Sequence, residues 1–257
     1  MFHPDNSLEL DSFLNRVVLN EQDPSLKREH SLFTLKDSQV LDHLNGHLMV
    51  KTGDTLKVLV INEGLGKGKV INISPEEVTL DVTIDSPGLK PNVHLIVGAS
   101  RPPTLKKVLE HGTSFGVSSF SFFKAELSEK SYLTSKVFEE HSLNDLLTKG
   151  LAQGSTFCHL PEVKRFNSLE KVLSEIPSQS QRFLLSLTGE KTFHQENLSQ
   201  KSPIVLAIGP ERGWTKKEEE FLMSNSFRPI LIGESILRVE IATFSALGQL
   251  AMLSLNR

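Results

Sequence analysis

The chain has 257 residues, a formal net charge of −3, 38% hydrophobic and 23% charged residues, and a single cysteine, Cys158. This is enough to bury a real core, and it excludes a disulfide framework or a cysteine-rich zinc site; the slightly acidic balance also argues against a protein that coats nucleic acid nonspecifically. The polar start, Met1-Phe2-His3-Pro4-Asp5-Asn6, lacks the features of a secretory signal, and no run approaches the roughly 18 apolar residues that cross a bilayer, so a soluble, membrane-free, cytoplasmic protein is expected.

In chain order, residues from about 30 to 86 read as β-rich. His43 and His47, four apart, could share a helix face; no third ligand type lies near, so no metal site is expected and a surface or RNA-facing role is preferred. Thr55 to Ile61 and Val78 to Ile84 alternate apolar with polar residues, as half-buried strands do. Between them Gly64-Leu65-Gly66-Lys67-Gly68 reads as a turn before Val70-Ile71-Asn72-Ile73. Its spacing is wrong for a phosphate-binding loop. Short strands at this spacing suggest a small barrel or sandwich. Asp85-Ser86-Pro87-Gly88-Leu89-Lys90-Pro91 cannot continue a strand, and the domain boundary is placed there: 1–86, then 92–257.

Beyond the boundary, strands alternate with helices. His94 to Val97 reads as a strand, and Thr104 to Ser114 as a helix ending near Gly116. The segment from Arg101 to Lys136 is locally positive. Phe183 to Leu187, Pro203 to Ile208 and Arg228 to Ile232 are buried-strand candidates. Thr215 with Glu218 three residues on has the pattern of a capping box. A last helix, about Arg238 to Leu253, is apolar over most of its circumference and should be buried, in part at a subunit interface. The alternation predicts an α/β domain with a mostly parallel sheet and helices on both faces.

Chemistry is expected at three glycine-bearing turns, each directly after a short apolar segment: Leu187-Thr188-Gly189, Ile208-Gly209-Pro210-Glu211-Arg212-Gly213, and Ile232-Gly233-Glu234-Ser235. Ligands of open α/β sheets bind beyond the carboxyl ends of the strands, where glycine lets backbone approach a ligand closely. The geometry of the turns does not name that ligand.

The second turn, with Trp214, Thr215 and Glu218, resembles a family motif of Gly-Pro-Glu-Gly-Gly followed by Ser or Thr and a Glu. Some 20 residues later, Leu231-Ile232-Gly233-Glu234-Ser235-Ile236-Leu237-Arg238-Val239-Glu240-Ile241-Ala242 resembles the family's Leu-Gly and Ile-Leu-Arg-x-Glu-Thr-Ala segment. Together they resemble the 16S rRNA (uracil-N3) methyltransferases of the SPOUT superfamily. Weaker echoes at His43-Leu44, Gly53-Asp54, Thr113 to Val117, Ser128 to Ser131 and Leu160 to Val163 spread the likeness over most of the chain.

The resemblance implies an N-terminal PUA-like β-barrel that binds RNA, then a trefoil-knotted α/β methyltransferase domain, and a homodimer formed through the knot region. It implies S-adenosyl-L-methionine as cofactor and ribosomal RNA of the small subunit as substrate. Leu187, Thr188, Gly189, Ile208, Gly209, Pro210, Glu211, Gly213, Ile232, Gly233, Ile236 and Leu237 would surround the cofactor, with the isoleucines and Leu237 as apolar walls. His43, Arg101 and Lys130 would contact RNA. Arg238 is expected to stabilise the anion of a uridine losing its N3 proton, with Glu240 orienting it. Glu211 could brace its loop or pair with Arg212. The chain departs from the family at Arg212 and Ile241, where glycine and threonine are usual, and at Met49, Lys130 and Phe157, where arginine is. A different RNA target, or a catalytically silent RNA-binding or ribosome-assembly protein on the same fold, are the competing readings.

Overall fold

The computed structural model of the protein describes residues 16–199 and 201–255; the amino-terminal segment read for a secretory signal lies outside them. The chain falls into two compact units, one reaching to Leu89 and taking in Leu151–His159, the other made of Lys90–Gly150 and Leu160 onward.

The first unit holds β1 (Val17–Leu19), β2 (Leu26–Glu29), β3 (Leu32–Leu35), α1 (Ser38–Asp42), β4 (Thr55–Val60), β5 (Gly64–Ile73) and β6 (Val78–Ser86). Its six strands form one sheet in the order β1-β4-β5-β6-β3-β2, antiparallel except for β1 against β4. The expected turn at Gly64 to Gly68 is instead the first half of β5, paired residue for residue with β4 from Val60↔Gly64 to Thr55↔Lys69. The glycines are there for close packing: a Cβ on Gly66 would lie 1.9 Å from the Thr83 carbonyl oxygen, and one on Gly68 2.9 Å from Val58 Cγ1. The actual reversal is Ile61-Asn62-Glu63, with Asn62 at φ 65°, a conformation asparagine tolerates better than most residues. Val58, Val60, Val70, Val78 and Leu80 fill the core of this unit together with Phe33 and Leu44.

The second unit contains β7 (Val93–Gly98), α2 (Pro102–Ser114), β8 (Val117–Phe123), β9 (Glu162–Phe166), α4 (Leu169–Leu173), β10 (Gln181–Leu185), β11 (Ile204–Ile208), α5 (Lys216–Ser224), β12 (Arg228–Ile230) and α6 (Val239–Leu255); α3 (Glu140–Gly154) lies between β8 and β9 in sequence. The sheet order is β12-β10-β11-β7-β8-β9, and every pair is parallel. A parallel sheet covered on both faces needs apolar residues at successive positions. Here Leu95, Val97, Phe183, Leu206 and Ile208 face the cluster that includes Leu105, Val108, Leu109, Leu247 and Leu250 of α2 and α6. The intervening Ile96, Leu184, Val205 and Ala207 face Leu169, Val172 and Leu222 of α4 and α5. Strand alternation thus sorts the helices onto two layers.

The final helix is not buried all round. Val239, Ala246, Leu247 and Leu250 pack inward, while Ile241 is 46% and Met252 64% exposed. The burial expected from its composition is therefore only half met. Among the described residues no helix is long and apolar enough to cross a membrane.

Candidate active site

Because β12, β10 and β11 are adjacent and parallel, the segments that leave their carboxyl ends emerge at one edge of the sheet. These segments are the three glycine turns. Packing ties them together. A Cβ on Gly189 would stand 2.7 Å from the Leu231 backbone nitrogen, so the first turn rests against the start of the third. Ser186 N–H donates to the Ile230 carbonyl at 3.1 Å, and Leu231 N–H to that of Lys191 at 2.9 Å. The Trp214 indole N–H donates to the Leu185 carbonyl at 3.0 Å, which fastens the second turn to the end of β10. A Cβ on Gly209 would meet that indole at 3.3 Å, and one on Gly98 would meet Pro210 at 2.6 Å. Glycine at these positions is what lets the loop lie flat over the strand ends.

Downstream of the second turn, Thr215 caps α5. Its hydroxyl accepts from the Glu218 N–H at 3.2 Å, and the Glu218 carboxylate accepts from Thr215 N–H at 2.9 Å; Glu218 is buried and also accepts from Glu126 N–H at 3.0 Å. The capping box read from the sequence is therefore formed. The third loop is held by Gln249 of α6, whose amide donates to the Ile232 carbonyl at 3.2 Å.

Within this frame the expected cofactor residues divide. Leu187 and Ile236 are 60% and 85% exposed; Thr188, Gly213 and Gly233 are also exposed, and Ile232 and Leu237 are half-buried. Ile208 is 2% exposed and belongs to the core cluster, and Pro210 and Gly189 are buried as well; these support the loops from beneath. A Cβ at Gly213 or Gly233 would meet nothing within 4 Å, so their backbone borders open space. Gly213 has φ 76°, which glycine adopts without cost. Arg212, at a position where glycine was the expected residue, is not in the left-handed region, so the loop accepts its side chain without strain.

The charged residues pair in ways the sequence did not show. Glu211 does not pair with Arg212. Its carboxylate accepts from Arg101 Nε at 2.9 and 3.0 Å, from Arg101 N–H at 3.4 Å and from the Thr104 hydroxyl at 3.4 Å. Glu240 is 6% exposed, and Lys107 Nζ lies 3.5 Å from its Oε1; its partner is thus α2 and not Arg238. The Arg238 side chain is exposed and has no hydrogen-bonding or ionic partner among the described residues. Lys107 and Trp214 are the residues that sequence reasoning missed here. An aromatic after the second turn was visible, but nothing local told where its N–H would go.

Lys130 is exposed at the start of a short 3-10 segment. His43 opens the single wide turn His43–His47, its ring centroid 5.5 Å from that of His47; burial, and then the neighbouring His47, push its pKa below the usual histidine value. Among the described residues no three His, Cys, Asp or Glu side chains gather to hold a metal.

Residues 88–251 match the RNA methyltransferase domain family, and the chain belongs to that family. It is similar to ribosomal RNA small subunit methyltransferase E 1 of Borreliella burgdorferi, 33% identical over 156 residues, which is 60% of this chain and 64% of that protein. It is 28% identical over 240 residues to ribosomal RNA small subunit methyltransferase E of Treponema pallidum, covering 90% of this chain and 88% of that one. The structure resembles that of ribosomal RNA small subunit methyltransferase E from Neisseria gonorrhoeae bound to S-adenosyl methionine, with TM-score 0.77, 18% identity, and coverage of 94% of this chain and 98% of that one; at that identity the likeness is one of fold.

Proposed function

We propose that this chain transfers the methyl group of S-adenosylmethionine to N3 of a uridine in 16S ribosomal RNA of the small subunit. The observation that carries the reading is the meeting of three loops at the carboxyl edge of β12, β10 and β11 in a chain of an RNA methyltransferase family. The names of its relatives in Borreliella burgdorferi and Treponema pallidum point to ribosomal RNA of the small subunit as substrate, and the Neisseria gonorrhoeae structure to S-adenosylmethionine as cofactor.

The residues fit such a ligand. Open backbone at Gly213 and Gly233 and the exposed apolar side chains of Leu187 and Ile236 offer polar and apolar contacts side by side, as small-molecule sites do. S-adenosylmethionine, when bound, supplies a methyl group on a positively charged sulfur that a nucleophile can displace in line. The protein's part is mainly to hold donor and acceptor, which can lower a barrier by roughly 7–11 kcal/mol. Thr188, Gly189, Gly209, Pro210, Glu211 and Gly213 shape the backbone of the site, over Ile208; Ile232, Ile236, Leu237 and Leu187 offer the donor apolar walls. Arg238, exposed and without a side-chain partner among the described residues, follows the third loop in sequence and on this reading holds the negative charge that uracil develops as its N3 proton leaves. Glu240, gripped by Lys107, fixes the first turn of α6, which Arg238 immediately precedes.

The finer architecture belongs to the same reading. The six-stranded sheet of the first unit supports a PUA-like barrel that binds RNA, with His43 on it. In the second unit β12 pairs with β10 after β11 has been laid beside it, and α6 then packs on α2; this return of the chain supports a trefoil knot. The exposed stripe of α6 supports a homodimer, and ribosomal RNA as substrate supports a cytoplasmic location. The test is mass spectrometry of nucleosides from ribosomal RNA of a strain lacking the protein. The expected result is the loss of one N3-methyluridine, restored by the native gene and not by Arg238→Ala. Loss of a different methylated nucleoside would redirect the target, and no loss at all would contradict the activity.

A further inference from the structure

Arg101 is an exposed arginine in a locally positive segment, and on sequence it reads as an RNA contact. The structure engages it otherwise. Its Nε is shared between both oxygens of Glu211 at 2.9 and 3.0 Å, and its side chain stays 67% exposed while that of Glu211 is 26% exposed. The same carboxylate also meets Arg101 N–H and the Thr104 hydroxyl. Arg101 is the residue that precedes α2, and its own side chain does not cap that helix. Glu211, 110 residues away in sequence, caps it from the second glycine turn, where a negative charge also meets the positive end of the helix dipole. A carboxylate with three kinds of donor on it holds a loop better than a lone surface pair does.

We propose that Arg101 is a positioning residue for the loop Gly209–Gly213, clamping it to the start of α2 through Glu211, and is not a contact to RNA phosphate. The inference rests on the donor site proposed above. The clamp acts on one of the three loops only and at its outer side: Pro210 is already pinned against Gly98 and Trp214 against β10, so Glu211 is the remaining handle on the turn between them. Releasing it leaves the fold intact and lets Gly213 and its neighbours wander from the donor.

The test is calorimetric titration of S-adenosylmethionine into the native chain, Arg101→Ala, Glu211→Ala, the double variant, and Lys106→Ala as a control that removes an exposed charge from α2 without touching Glu211. Alongside it, binding to a ribosomal RNA fragment is measured over a range of salt. Expected are a dissociation constant for the donor raised about fivefold in Arg101→Ala, a double variant no weaker than Glu211→Ala, an unchanged Lys106→Ala, and an unchanged salt slope for RNA. In turnover the KM for the donor rises and kcat at saturating donor stays. Native donor affinity in Arg101→Ala, or a salt slope reduced by about one phosphate contact, overturns the inference while leaving the donor site standing. A native chain that does not bind S-adenosylmethionine overturns both.

Discussion

Arg238 stands just before α6 and Glu240 in its first turn, and their surroundings differ: the Arg238 side chain is exposed and has no partner among the described residues, while Glu240 is buried against Lys107. Glu240 is held by Lys107 at 3.5 Å and forms no ion pair with Arg238, and so it does not orient Arg238 by touching it. Arg238→Ala is expected to lower kcat about a hundredfold, the cost of removing one preorganised charge from a developing anion, with donor affinity unchanged in the same titration. Gly189→Ala carries the opposite signature. Its new Cβ, 2.7 Å from the Leu231 nitrogen, must push the first and third loops apart. A loss of about 1–3 kcal/mol in denaturant unfolding is expected from such overpacking, together with weaker donor binding. The three turns were legible in the sequence because glycine after an apolar run is a local signal. The partner of Glu211 was not, since it lies 110 residues upstream and any of several nearby bases could have served.

Elements show the same divide between local and distant causes. The capping box at Thr215 and Glu218 needs only four residues to be read, and it forms as expected. Thr215→Ala should cost about 1 kcal/mol of stability, seen as a lower melting temperature. Four strands of the parallel sheet, β7, β10, β11 and β12, were also legible as short apolar runs, with ends off by one or two residues, whereas β9, with charged residues at three of its five positions, was not. β8 went unread although Val117, Phe120 and Phe122 are buried while serines stand between them; alternation of serine and phenylalanine is a strand signal. The turn misplaced at Gly64 to Gly68 has a different lesson. Glycine punctuates turns, but it also marks strands whose neighbours lie too close for a Cβ, and only the register with Val58 and Thr83 decides between them.

For the molecule as a whole, stability should respond to pH through His94. This half-buried ring on β7 shares a hydrogen bond with the Ser119 hydroxyl at 2.8 Å, and burial depresses its pKa despite the opposing pull of Glu162. The unfolded chain therefore binds this proton more readily than the folded one. Its contribution is fully present above the ordinary histidine value, about 6.5, and is lost as pH falls through the depressed folded value. Unfolding free energy measured from pH 7.5 downward should drop in that window, and His94→Gln should flatten the drop. Layering on this scale was legible from the alternation of strands and helices, whereas the order β12-β10-β11-β7-β8-β9 was not: sequence proximity says nothing about why β12 joins β10 and not its predecessor β11. It is that order which brings Leu187, Gly213 and Gly233 to a common edge, and amide hydrogen exchange with and without S-adenosylmethionine tests the consequence most directly. Protection concentrated in residues 186–191, 209–215 and 231–238 is the predicted result. No protection, or protection confined to segments away from the ends of those three strands, would contradict it.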